Sequence, residues 1–114
     1  MTLNEFLSIL KKSPEEISFS DTIATIDSYY HFSPSAFTNG TVTNKAGENA
    51  GSCKIFSFAK LHTLSKEETL ACFGSFYRED VLGNPNGTDH QNIRNFMIGG
   101  WEGITFENEA LSAK

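Results

Sequence analysis

Cysteine is scarce in this chain. Two thiols, Cys53 and Cys72, stand among 114 residues. Their number and spacing build neither a disulfide framework nor a four-ligand zinc site, so a reduced compartment is expected. Proline occurs three times, and no repeat or low-complexity tract interrupts the chain. No run approaches the ~20 apolar residues that a membrane-spanning helix requires. No basic region followed by an apolar run stands at the N-terminus, so no secretory signal is expected and the expected location is cytoplasmic. Positive charge is also thin. Nine Lys and Arg are scattered against 14 Asp and Glu, giving a net charge of −5. Nucleic acid and anionic membranes need clustered positive charge, so neither is an expected partner. The three histidines, His31, His62 and His90, lack the close spacing of a metal-binding pair. No metal or other cofactor is expected.

Aromatic residues are plentiful, with ten Phe, three Tyr and one Trp. Large rings bury much area each, so one domain over residues 1–114 can be stabilised by a single small core.

The local signals are mostly helical. Thr2 and Glu5 have the S/T-x-x-E spacing of a capping box, and Leu3, Phe6, Leu7 and Leu10 follow on one face. Ser13-Pro14 ends that helix and opens a short turn. Ser20-Asp21 reads as the cap of a second helix over 21–30, which Pro34 and its neighbours break. Asn39-Gly40 predicts a two-residue hairpin turn between Phe37 and Val42. Residues 43–52 read as an ordered loop, and Ser52 as the cap of a helix over 53–62. Ser65 and Glu68 form another capping box, and the apolar spacing from Thr69 to Val81 predicts one long helix over 66–82. Thr88 and Gln91 predict a third capping box, with the helix it opens ending at Gly99-Gly100. Ile104–Phe106 reads as a short C-terminal strand. The expected fold is a helix-rich α+β domain of four to five helices, a small hairpin and that strand.

Candidate chemistry centres on Cys53. In the first turn of a helix, partial positive charge favours the thiolate. A cysteine nucleophile also needs a base and an orienting group. His90, with Asp89 or Asn92, is the available set, and the implied activity is hydrolysis or acyl transfer. The competing reading is a small buried cysteine that packs a helix against the hairpin, which is the commoner fate of a free cysteine. Cys72, on the same apolar face as Phe73 and Phe76, reads as core. A binding reading uses different residues. The polar segments 43–52 and 84–92 would form a surface, with Asn44, Asn49, Thr88 and Gln91 facing a small molecule or a protein. Trp101 reads as core or as an anchor for a partner.

Several blocks together resemble one family. They are F-S-D-T-I-A-T-I-D (19–27), A-F-T-N-G (36–40), N-x-A-G-x-N-x-G-S-C-K-I-F-x-F-A (44–59), T-L-A-C-F-G-x-F-Y-R-x-D-V-L (69–82), G-T-D-H-Q-N-I-R-N-F-M (87–97) and G-W-x-G-I-x-F (100–106). In this order, over essentially the whole chain, they resemble the HopJ type III effector family. The resemblance implies kinship with effectors delivered by type III secretion. It implies no catalytic residues, because none is assigned across the family. A capped helix stands where a secreted effector would carry a disordered leader, which favours the cytoplasmic expectation.

Overall fold

The computed structural model describes residues 1–114. Five α-helices are present: α1 (Leu3–Lys12), α2 (Phe19–Tyr29), α3 (Ala50–Leu61), α4 (Lys66–Ala71) and α5 (Gln91–Gly99). Five three-residue strands accompany them: β1 (Tyr30–Phe32), β2 (Phe37–Asn39), β3 (Val42–Asn44), β4 (Ile104–Phe106) and β5 (Leu111–Ala113). The fold is helix-rich α+β, as expected.

Three helix starts follow reciprocal capping. Thr2 and Glu5 cap α1, Ser18 and Asp21 cap α2, and Ser65 and Glu68 cap α4. In each, the polar side chains satisfy backbone N–H groups that the helix itself leaves open. The α2 cap is Ser18 and not Ser20, so the helix begins at Phe19, two residues earlier than expected. Pro14–Glu16 forms the expected short 3-10 turn.

The strands make two antiparallel sheets. One is ordered β3-β2-β4, and the other pairs β1 with β5. The β2–β3 hairpin pairs Asn39 with Val42, so its two turn residues are Gly40 and Thr41. Only Gly40 has positive φ, +61°, as a turn with glycine in its first central position requires. Asn39 therefore belongs to the strand and not to the turn, one residue away from the expected register. Strand β4 is where the sequence placed it. Strands β1 and β5 were not expected: each is three residues long, and β1 follows α2 with no break.

The largest departure falls on 66–82. The helix stops at Ala71, the chain turns, and a π-helical segment runs from Phe76 to Val81. Gly74 forces the break. It has φ +61°, and a Cβ there would lie 2.6 Å from the backbone nitrogen of Phe19. The start of α2 occupies the space that a continuous helix would need. The helical spacing of Cys72, Phe73 and Phe76 is real, but tertiary contact overrides it.

The core is mostly aromatic. Phe56 lies at its centre with no exposed surface. Its ring centroid is 4.9 Å from Phe96, 5.5 Å from Phe73, 6.1 Å from Phe37 and 6.4 Å from Trp101. Trp101 is half-buried, and its Nε1–H donates to the Leu64 carbonyl at 3.1 Å. It serves the core by one ring face and by that bond. No helix is long and apolar enough to cross a membrane.

Candidate functional site

Helix α3 begins earlier than its sequence signal. Its N-cap is Asn49, in the left-handed conformation at φ +51°, and Ser52 lies inside the helix. Cys53 is thus one turn in, and its N–H already donates to the Asn49 carbonyl. The thiol is 2% exposed and donates to the Ser35 carbonyl at 3.7 Å. Burial pushes its pKa up, against smaller opposing effects of Ser35 and Ser57. An activated thiol needs the reverse shift. Gly51 does not open a path to the sulfur, because Phe19 fills that space. A Cβ at Gly51 would meet the Phe19 ring at 2.9 Å. Cys72 is fully buried as expected, and desolvation drives its pKa up to about 12.

His90 is the N-cap of α5, also left-handed at φ +51°, with no side-chain capping bond. The expected box between Thr88 and Gln91 does not form. Instead Gln91 Nε2 donates to the Thr88 carbonyl at 2.6 Å. The His90 ring is held by the π-helical segment. Its Nε2–H donates to Asp80 at 3.0 Å, and its ring lies 5.2 Å from Phe76 at 33°. Asp89 Oδ2 is farther from His90 Nε2, at 3.8 Å. The primary partner of Asp89 is Arg94, whose Nη2 donates to it at 2.6 Å. That hydrogen bond lowers the Asp89 pKa. Arg94 also reaches the carbonyls of Asn84 and Asp89, pinning the 84–90 segment.

The expected Cys53–His90 pair is therefore not assembled. No hydrogen bond joins the two side chains, and each has a different partner. Asn92, offered as an orienting group, is turned the other way, into a buried cluster. Its Oδ1 accepts from Asn39 and Asn44, each at 3.2 Å, and its Nδ2 donates to Asn44 at 3.0 Å. Asn49 Nδ2 donates to Asn44 Oδ1 at 2.6 Å. Asn44 is 1% exposed and all its polar atoms are engaged, so it does not face a ligand. Under native conditions iodoacetamide is expected to alkylate neither cysteine, and to alkylate both after unfolding in guanidinium. Mass spectrometry of the intact chain reads the difference. Rapid modification of native Cys53 would restore the activated-thiol reading.

The structure does bring the two polar segments together. A cavity of about 340 Å³ opens between the starts of α3 and α5. Asn49, Gly51 and Ser52 line one side, and His90, Gln91, Asn92 and Ile93 the other. Phe19, Phe73 and Phe76 supply aromatic walls, with Phe19 and Phe76 edge to face at 5.0 Å. Of the expected ligand-facing residues, Asn49 and Gln91 reach it, while Asn44 and Thr88 do not. Neither helix start is closed by a cap side chain. The first N–H groups of a helix have no intrahelical acceptor, so both sets remain available at the cavity. The aromatic walls and Asp80 were not legible as site residues, since the expected unbroken helix gave Phe73 and Phe76 a purely packing role.

This is a small α+β domain with a cleft between two helix starts and no assembled nucleophile–base pair. The chain matches the HopJ type III effector protein family over residues 3–111 and belongs to it. It is also similar to a solved protein of unknown function, VPA0580, at 61% identity and a TM-score of 0.99. That likeness covers 100% of this chain and 95% of the other. No curated protein matches.

Proposed function

We propose that this HopJ protein is a non-enzymatic binding module for a small molecule held in the cavity between α3 and α5. One observation carries the reading. The two polar segments, remote in sequence, meet at a single cavity with unclosed helix starts above aromatic walls. Free N–H groups at such ends favour a hydrogen-bond acceptor, and the rings favour a flat apolar part. The ligand class is a planar molecule carrying an accepting group. Titration of 15N-labelled protein with benzoate, and separately with benzyl alcohol, tests it. Saturable amide shifts at Gly51, Ser52, Gln91 and Ile93 are expected, lost in Phe76→Ala. No shift with either probe, or shifts scattered over the surface, would overturn the reading.

A second reading rests on the family's description as type III effectors. It makes this chain an exported protein acting on a host component. A reporter fused to residues 1–25 and expressed with a type III apparatus decides it. Export supports that reading, and retention removes it.

A further inference from the structure

A second concavity lies on another face, between α3 and the connection from β4 to β5. It measures about 450 Å³. Leu61, Phe106 and Leu111 give it an apolar floor, with Lys60, Glu107 and Glu109 around them. Leu61 is 54% exposed, unusual for a leucine at the end of a helix whose other large apolar residues are buried. The wall of the groove is pinned in place. Glu107 N–H donates to the Ala36 carbonyl, Asn108 N–H to Ser35 Oγ, and the Ala110 carbonyl accepts from Ser33. A partner would therefore meet a preformed surface and need not order it.

Charge narrows the occupant. Lys60 Nζ sits over the Phe106 ring, 5.9 Å from its centroid. Glu107 and Glu109 are exposed, and neither takes part in an ion pair. The groove thus offers an apolar floor beside two unpaired carboxylates, in a chain of net charge −5. We propose that it docks a segment of a partner protein in which an apolar side chain is flanked by lysine or arginine. The apolar side chain would cover Leu61, Phe106 and Leu111, and its flanking cations would meet Glu107 and Glu109. The surrounding negative field would speed encounter with such a segment.

Three capped pentapeptides test this in titrations of 15N-labelled full-length protein: Lys-Lys-Leu-Lys-Lys, Lys-Lys-Gly-Lys-Lys and Glu-Glu-Leu-Glu-Glu. The first is expected to shift the amides of Ser57, Leu61, Phe106, Glu107 and Glu109 saturably. The glycine peptide should bind about tenfold more weakly or worse, the worth of covering one leucine. A double variant, Glu107→Gln with Glu109→Gln, should weaken the first peptide about three- to tenfold, and raised salt should do the same. Both positions are exposed, and an unchanged melting temperature would show that the variant is folded. Equal binding of the leucine and glycine peptides would reduce the effect to bulk charge and overturn the proposal. So would preference for the glutamate peptide, absence of shifts at this groove, or concentration-dependent shifts without peptide, which would assign the face to a second copy of the chain. The amides read here differ from those at the α3–α5 cavity, so the two sites stand or fall separately.

Discussion

Replacing Asn44 with leucine is expected to remove about 3–5 kcal/mol of folding stability. Leucine shares the branching of asparagine, but its methyl groups make no hydrogen bonds and need more room than the 2.6–3.3 Å contacts they replace, so lost bonds and crowding act together. Asn44 is the hub of the buried amide cluster. Its Nδ2 donates to the Phe37 carbonyl at 3.3 Å and to Asn92 Oδ1, and its Oδ1 accepts from Asn49 and Asn92. With leucine there, Asn92 Nδ2 loses its acceptor inside the protein. A buried polar group without a partner costs about 1–3 kcal/mol, while each bond that is merely lost costs about 1 kcal/mol. Urea unfolding followed by Trp101 fluorescence should show a lower midpoint with an unchanged slope. In a double-mutant cycle with Asn92→Leu the two losses should fall short of additivity by about 1–3 kcal/mol, since they share bonds. A loss below about 1 kcal/mol would mean that the cluster is wet or loosely held. The consequence reaches the cavity as well. The cluster ties the β2–β3 hairpin to Asn49 and Asn92, which stand at the starts of α3 and α5. A variant stable enough to study should bind benzoate more weakly even though Asn44 touches no ligand.

The same residues show where sequence reasoning succeeds and where it stops. Capping is a local transaction among four residues, so Thr2/Glu5 and Ser65/Glu68 were legible directly. Local rules failed where a distant segment supplies the deciding contact. Asn39-Gly40 has the composition of a hairpin turn, yet Asn39 is drawn into the strand by its hydrogen bonds to Asn92, 53 positions away. The turn then slips to Gly40-Thr41. Helical spacing from Thr69 to Val81 was unbroken on paper, but the docking of Phe19 against Gly74 ends the helix. At the site, the polar segments 43–52 and 84–92 were recognisable by composition. Which of their side chains face outward was not, because asparagine has no periodic signature that separates a buried network from a surface. Asp80 was hidden for a related reason. Its link to His90 depends on a π-helical turn that no spacing rule announces. Cys53 was misleading because the helix start is set by Asn49 in a left-handed conformation, a choice that is rarely written in a non-glycine residue.

Phe56→Ala is expected to cost about 3–5 kcal/mol, enough to bring a domain of this size close to unfolding at ordinary temperature. The ring contributes twice. Its removal gives up the transfer free energy of a fully buried aromatic side chain and leaves a cavity that the surroundings fill only partly. Collapse is resisted from several directions, because the neighbouring rings belong to different elements: Phe37 to β2, Phe73 to the turn after α4, Phe96 to α5, and Trp101 to the turn before β4. For any of them to move inward, a separate element must shift. Phe56→Leu keeps most of the volume and should cost about 1–1.5 kcal/mol. Phe106→Ala should fall between, because Phe106 is only partly buried and stacks chiefly on Phe37 at 5.3 Å. The order Phe56→Ala, Phe106→Ala, Phe56→Leu is the diagnostic, measured by guanidinium unfolding at one temperature. If Phe56→Ala cost no more than Phe106→Ala, the neighbouring rings would have to be free to close on the void. The core would then be a set of independently mobile elements, and the cavity between α3 and α5, whose Phe73 wall packs on Phe56, would lose its rigid support.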